Sequence, residues 1–134
     1  MHVLMVAAEN DAIPSAKVGG IADVIRDIPP VLANNQVAVD VVIPAHLSYN
    51  NILHSRHVAD VQLSFAGNNE QVSLYEVFLA MPTPHSRQFI VQHPLFCTAT
   101  GIYSHDPDHR PFASDAHKYA LFSLAVCHFI NIGS

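Results

Sequence analysis

The chain has 134 residues, half of them hydrophobic, and a formal net charge of -5. This length suits one domain, and the apolar share is high enough to form a core, which argues against a disordered chain. Six basic residues without a basic block make nucleic acid a poor partner.

No apolar run approaches the roughly 20 residues that cross a bilayer, and the N-terminus lacks the basic segment and cleavage site of a signal peptide. We therefore expect a cytoplasmic protein with no membrane contact. Cys97 and Cys127 both lie in apolar segments, which predicts buried free thiols rather than a disulfide.

The first half of the chain predicts a βαβ unit. Residues 2–8 are a nearly continuous apolar run, as in a strand buried on both faces. Apolar residues recur at helical spacing over 21–32, and Pro29-Pro30 should kink or restart that helix because proline has no N–H. With a second strand at 37–43, the order predicts a right-handed, parallel pair.

The middle of the chain predicts a β-hairpin and one more strand. Segments 58–65 and 72–79 flank the turn signal Gly67-Asn68-Asn69, and 88–92 is a further short strand. The fold class is therefore α/β: a Rossmann-like parallel sheet with helices on both faces and a β-hairpin insertion. We expect residues 1–134 to form a single domain that is incomplete.

The last predicted helix covers residues 116–132, with Ser114 as its N-cap. Its apolar residues occupy almost every face, which predicts burial on all sides. Before it, residues 105–109 combine His and Asp, but their spacing follows no helical or strand register, so we expect no metal and no other cofactor.

The turn between the first strand and the first helix is the candidate binding site. A strand, a glycine turn and a helix point backbone N–H groups at an anion, and Lys17 adds a compact positive charge just before Gly19 and Gly20. The turn lacks Gly-x-Gly-x-x-Gly, and its lysine precedes the glycines, unlike a P-loop. It predicts a site for a phosphate or sugar phosphate; the alternative is an ordinary strand–helix turn with a solvated lysine.

Three motifs in order resemble the N-terminal part of bacterial glycogen synthases and plant starch synthases. They are the apolar run ending at Glu9 with Lys17-Val18-Gly19-Gly20-Ile21-Ala22-Asp23-Val24, the Gly-Ile-Tyr segment at 101–103, and residues 114–122. The last is similar to the family's Asp-Asn-x-x-Arg-Phe-x-x-Phe helix, with Lys118 at the arginine position. The resemblance covers nearly all of this chain but about the first quarter of a full-length family member.

The resemblance implies a retaining glycosyltransferase of the GT-B fold, with a cleft between two Rossmann-like halves. It would transfer glucose from ADP-glucose to an α-1,4-glucan. Lys17, Gly19 and Gly20 would line that cleft near the donor's phosphates and sugar, and Glu9, Asp23 and Tyr103 match positions at or beside it. Asp23 could equally be a carboxylate favoured by the helix dipole, and Tyr103 a packed loop aromatic.

The resemblance assigns no catalytic residue to this chain. The family's His-Asp-Trp segment, its donor-binding Arg and Lys and its paired-Glu motif all correspond to positions beyond residue 134, so we expect no synthase activity from the chain alone. The alternative is a non-catalytic module that binds a nucleotide sugar or glucan and self-associates through helix 116–132. A generic NAD-binding fold ranks last because the glycine fingerprint is missing.

Overall fold

A computed structural model of the chain describes residues 1–46, 54–97, 102 and 113–132. The elements in chain order are β1 (His2–Val6), α1 (Gly20–Asn34), β2 (Ala38–Pro44), β3 (Ser55–Phe65), β4 (Asn68–Val77), β5 (Ser86–Gln92) and α2 (Ala113–Ile132).

The five strands form one sheet in the order β1-β2-β5-β4-β3. Strands β1, β2 and β5 are parallel, and the hairpin β3–β4 joins β5 in antiparallel fashion. The predicted α/β class and hairpin insertion are confirmed. The hairpin turns at Ala66 and Gly67, both with positive φ, which is slightly earlier than predicted and matches a tight two-residue turn.

The two helices lie on opposite faces of the sheet, as predicted. Along β2, Val39 and Val41 pack with Ile25 of α1, whereas Val42 belongs to the core that includes Leu121 of α2. Because successive strand residues point to opposite faces, this alternation separates the two helices.

Helix α1 is continuous through Pro29 and Pro30, so of the predicted kink or restart the restart does not occur. Each proline removes one N–H from the helix, at a cost of about 3 kcal/mol. Pro29 lies on the buried face, where burial of its ring offsets part of that cost. The helix ends at Asn34, and the N–H of Asn35 donates to the carbonyl of Leu32 at 3.0 Å.

Helix α2 buries one face, so the prediction of burial on all sides is wrong. Its buried residues recur at the i, i+3 and i+4 spacing of one helix face: Lys118, Leu121, Phe122, Ala125, Val126 and Phe129. On the opposite face small and polar residues such as Ser123 and His128 are exposed. The helix starts at Ala113, so Ser114 lies in its first turn and is not the N-cap.

Cys97 and Cys127 are free thiols, as predicted, but their predicted burial is wrong, because both are exposed. Cys127 falls on the outer face of α2, and Cys97 directly follows the buried Phe96. An apolar neighbourhood in sequence does not tell which side of an element a residue occupies.

Strand β1 lies at an edge of the described sheet. The prediction that it is buried on both faces is wrong. Leu4 is 39% exposed and Val6 is 47% exposed. Val6 is aligned with Val42, which packs in the core that includes α2, but neither Leu4 nor Val6 belongs to that core. In the part of the chain that the structure describes, neither helix has the length and hydrophobicity needed to cross a bilayer.

Candidate functional site

The carboxyl ends of β1, β2 and β5 meet at one edge of the sheet, because these strands are parallel. Open α/β sheets bind their ligands at this edge. The segment between β1 and α1, residues 7–19, lies here and carries most of the predicted site.

The first part of this segment is a packed loop. The N–H of Asn10 donates to the carbonyl of Ala16 at 2.9 Å, and Ile13 is 1% exposed. The buried Asn10 side chain donates to Gln88 Oε1 at 2.8 Å and accepts from the N–H of Ala12 at 3.0 Å. Asn10 was missed by the sequence analysis, although asparagine commonly bonds the backbone two residues on. These contacts hold the loop in one conformation directly before the glycine turn.

Glu9 lies beneath the turn, with 1% of its surface exposed. Its carboxylate accepts the N–H of Val18 at 3.0 Å, of Gly19 at 3.2 Å and of Ala22 at 3.2 Å. Helix N-termini favour negative charge, and here the chain supplies that charge itself. Glu9 therefore holds the inner side of the turn together and leaves no room there for an external anion.

The outer side of the turn is bare. Gly19 is extended, at φ -137°, and a Cβ on it would meet Glu9 Oε1 at an ordinary 3.5 Å, whereas a Cβ on Gly20 would meet nothing within 4 Å. The N–H groups of Gly20 and Ile21 have no acceptor among the described residues. Neither conformation nor internal packing explains the glycine at position 20.

Lys17 belongs to an exposed ion network beside the turn. Its Nζ donates to Asp23 Oδ1 at 2.7 Å and lies 3.9 Å from Asp11 Oδ2. Arg26 bonds Asp11 and lies 3.4 Å from Asp23. The hydrogen bond to Asp23 raises the pKa of Lys17, so the amine stays charged. Asp11 and Arg26 were not identified from the sequence.

Asp23 thus acts as the partner of Lys17 as well as a first-turn carboxylate. Ion pairs this exposed contribute little to stability because water screens them. A phosphate that also accepts hydrogen bonds from backbone N–H groups can therefore replace Asp23 as the partner of the Lys17 amine.

Ile102, the one described residue of the Gly-Ile-Tyr segment, contacts α2 through its carbonyl. Ile102 O accepts Lys118 Nζ at 2.8 Å and the Tyr119 hydroxyl at 2.7 Å. Lys118 is 1% exposed, and burial lowers its pKa. At the position where the resemblance implies an arginine, the Lys118 side chain thus donates to a backbone carbonyl. Tyr103, the remaining predicted cleft residue, lies outside the described residues.

His46 is a buried polar residue at the carboxyl end of β2 that sequence analysis did not select. Its Nε2 donates to the carbonyl of Ala8 at 2.5 Å, which places the ring proton on Nε2 because a carbonyl can only accept. Its Nδ1 has no partner among the described residues. Burial lowers the pKa of His46 to about 4, so the ring is neutral and ties the ends of β1 and β2 together.

Two clefts of about 390 and 420 Å³ lie away from the turn. One is near Gln71 and Gln92, the other near Met1 and His85, and neither is lined by Lys17 or the glycines. Within the described ranges no three His, Cys, Asp or Glu side chains are grouped as a metal ion requires. The segment 105–109 lies outside the described residues.

Comparison with known proteins identifies the chain's relatives. The family model for the starch synthase catalytic domain matches residues 2–133. Glycogen synthase of Gloeobacter violaceus is 32% identical over 131 residues, which are 97% of this chain and 25% of that protein. A glycogen synthase of Thermus thermophilus is 41% identical over 76 residues, 57% of this chain and 16% of that protein.

A solved structure shares the fold. The catalytic domain of starch synthase IV from Arabidopsis thaliana, bound to ADP and acarbose, superposes with a TM-score of 0.60. It is 23% identical, and the match covers 91% of this chain and 25% of that one. The chain thus spans about a quarter of the proteins that it matches. Because the family model covers almost every residue, the chain belongs to the family of the starch synthase catalytic domain.

Proposed function

We propose that this chain is the N-terminal portion of a cytoplasmic glycogen or starch synthase-like glycosyltransferase, which moves glucose from ADP-glucose to an α-1,4-glucan. Family membership supports the reaction class, and the structural neighbour was solved with ADP and acarbose. Because the chain spans about a quarter of its relatives, the reaction belongs to the whole protein. The chain alone binds and does not transfer glucose.

In this proposal, the outer side of the glycine turn binds the diphosphate of ADP-glucose. The observation that carries this assignment is the open space at Gly20, where a Cβ would meet nothing within 4 Å. The unpaired N–H groups of Gly20 and Ile21 and the charged Lys17 offer one anion three donors. Glu9 stays beneath the turn as its support, and Tyr103 remains a proposed cleft residue.

Calorimetric titration with ADP-glucose tests this assignment. Half a cleft should bind weakly, with a dissociation constant on the order of 1 mM. Lys17→Ala should weaken binding about tenfold or more, since it removes a charged donor. Gly20→Ala should also weaken binding by obstructing the turn while keeping the fold, because alanine is the better helix former.

Arg56→Ala is the control, because it also removes one exposed positive charge that is paired with a carboxylate, here that of the buried Glu76. It should bind ADP-glucose like the wild type. Equal affinity in the wild type, Lys17→Ala and Gly20→Ala, or no heat from the wild type at millimolar donor, would contradict the assignment.

The alternative of a self-associating module has less support. It was expected from an apolar outer surface on helix 116–132, but on the described outer face of α2 Ile130 is the one large hydrophobic side chain that is strongly exposed. A surface of small and polar residues is a poor interface core.

A further inference from the structure

Two carboxylates compete for the Lys17 amine beside the glycine turn. Its Nζ lies 2.7 Å from Asp23 Oδ1 and 3.9 Å from Asp11 Oδ2. A carboxylate that is paired with the amine competes directly with an anionic ligand, because both are strong acceptors for a charged donor. A diphosphate can therefore use Lys17 fully only if both carboxylates have another cation as their partner.

Arg26 lies where such a cation is needed. Its Nη1 donates to Asp11 Oδ2 and lies 3.4 Å from Asp23 Oδ1, which is the same oxygen atom that accepts from Lys17. Asp23 and Arg26 are three residues apart on α1, so their side chains are neighbours on the helix surface. A small rotation of the Asp23 side chain is therefore enough to move its carboxylate from the lysine to the arginine.

The Arg26 guanidinium is held in place by a third carboxylate. Its Nε donates to Asp27 Oδ1 at 2.7 Å and its Nη2 donates to Asp27 Oδ2 at 3.0 Å, the paired geometry that the planar guanidinium favours. The hydrogen bond to Asp27 raises the pKa of Arg26, so the side chain stays charged. Because Nη1 carries two N–H groups, it can donate to Asp11 and to Asp23 at the same time.

Asp11 is fixed between the two cations through its backbone. Its N–H donates to the carbonyl of Ala22 in the first turn of α1 at 3.1 Å. In the described part of the chain the cations that pair with its carboxylate are Arg26 and Lys17. Removal of the guanidinium therefore leaves Asp11 with the lysine as its partner, in addition to Asp23.

We infer that Arg26 is a positioning residue for the donor site: it holds Asp11 away from Lys17 and takes over Asp23 when a diphosphate pairs with the lysine. Arg26 acts through these two carboxylates and does not contact the ligand. After the exchange each carboxylate still has a hydrogen-bond donor, so the diphosphate gains the lysine without leaving an acidic side chain unpaired. This inference rests on the proposed donor site at the glycine turn.

Calorimetric titration of variants with ADP-glucose tests this role. Arg26→Ala should weaken binding about fivefold, because two carboxylates without their arginine then compete with the diphosphate for the lysine amine. Addition of Asp11→Asn to that variant should restore most of the affinity, since it removes one of the two competitors. If Arg26 instead contacted the diphosphate directly, Asp11→Asn would not restore the affinity.

Arg26→Ala combined with Asp27→Asn is the matched control, because it has the same net charge as Arg26→Ala combined with Asp11→Asn. Asp27 bonds the guanidinium and does not pair with Lys17 among the described residues. The control should therefore restore much less of the affinity. A general effect of charge near the turn would instead make the two double variants bind ADP-glucose equally.

The pKa of Lys17 is a second readout, and it needs no ligand. The hydrogen bond to Asp23 raises this pKa, whereas the nearby charge of Arg26 lowers it. Arg26→Ala should therefore raise the pKa of Lys17, and addition of Asp11→Asn should lower it again. The Cε chemical shifts of labelled lysine measure the change, and Lys118, the other lysine of the chain, should titrate as before.

The outcomes separate the inference from the donor site. Wild-type affinity in Arg26→Ala, equal rescue by Asp11→Asn and Asp27→Asn, or an unchanged Lys17 pKa in Arg26→Ala would overturn the role of Arg26. The donor site would still stand in those cases if Lys17→Ala weakened binding. No heat from the wild type at millimolar ADP-glucose would overturn the donor site and the role of Arg26 together.

Discussion

Glu9 is the residue on which the shape of the turn depends. A buried carboxylate that accepts three backbone N–H groups anchors both the glycines and the start of α1. The sequence correctly placed Glu9 at the carboxyl end of the first strand, but it could not distinguish a residue that contacts a ligand from one that supports the turn. Both uses require a carboxylate after the first strand, and only burial separates them.

We predict that Glu9→Gln destabilises the chain by about 2 kcal/mol, because the amide keeps one acceptor oxygen and turns an NH₂ group towards N–H donors. Urea denaturation measures the change. Asp27→Asn removes an exposed carboxylate paired with Arg26 and should have a much smaller effect. Similar losses in the two variants would show that Glu9 is not the support of the turn.

His46 should make stability sensitive to acid. An unfolded histidine protonates near pH 6.5, whereas folded His46 protonates at about 4. Between these values the unfolded chain binds a proton that the folded chain does not, so stability is complete above pH 6.5 and falls as the pH drops towards 4. The loss at pH 5 should be about 2 kcal/mol.

Urea midpoints at pH 7 and pH 5 measure this loss, with His46→Gln as the control. Glutamine can donate to the Ala8 carbonyl but does not titrate, and all other histidines are shared by the two proteins. The variant should therefore lose about 2 kcal/mol less than the wild type between the two pH values. Parallel pH profiles would show that His46 is not held neutral.

At the scale of elements, α1 shows that helical spacing locates a helix better than it locates the core. Ile21, Val24 and Val31 fit the apolar pattern, yet they are at least half exposed, while Ile25 is 8% exposed. In α2 nearly every position is apolar enough to be buried. Composition therefore could not select its inner face, which the sheet determines by packing.

Ile21 and Ile25 of α1 form a matched pair for a test of packing. Ile25→Ala should destabilise the chain by about 2–4 kcal/mol, because it leaves a cavity between α1 and β2. Ile21→Ala should change stability by less than about 1 kcal/mol, since Ile21 is 57% exposed. Thermal unfolding of the two variants measures the difference, and a larger loss for Ile21→Ala would mean that α1 is packed with another face inward.

For the whole molecule, the sequence predicted the order of elements, the parallel βαβ unit, the hairpin and the two-sided sheet, because these follow from local periodicity and chain handedness. The edge position of β1 was not predicted. An apolar run indicates a strand suited to a central position, whereas the described sheet leaves one side of β1 open. The position of a strand in a sheet depends on which other strands pair with it, and the sequence of the strand alone does not specify them.

The glycine turn has two sides with different roles in the molecule. On its inner side Glu9 accepts the N–H groups, and on its outer side the N–H groups of Gly20 and Ile21 have no acceptor in the described part of the chain, Gly20 is open and Lys17 is exposed. The chain belongs to the family of the starch synthase catalytic domain, and we propose that the turn binds the donor while the remaining chemistry belongs to the part of the relatives that this chain does not span.

The most direct test is a titration of the ¹⁵N-labelled chain with ADP-glucose, followed by amide chemical shifts. We predict that the largest shifts occur at Gly20 and Ile21 and that they are lost in Lys17→Ala, while Arg56→Ala retains them. Shifts confined to other regions, such as the cleft near Gln71 and Gln92, or no shifts at millimolar ADP-glucose, would contradict a donor site at this turn.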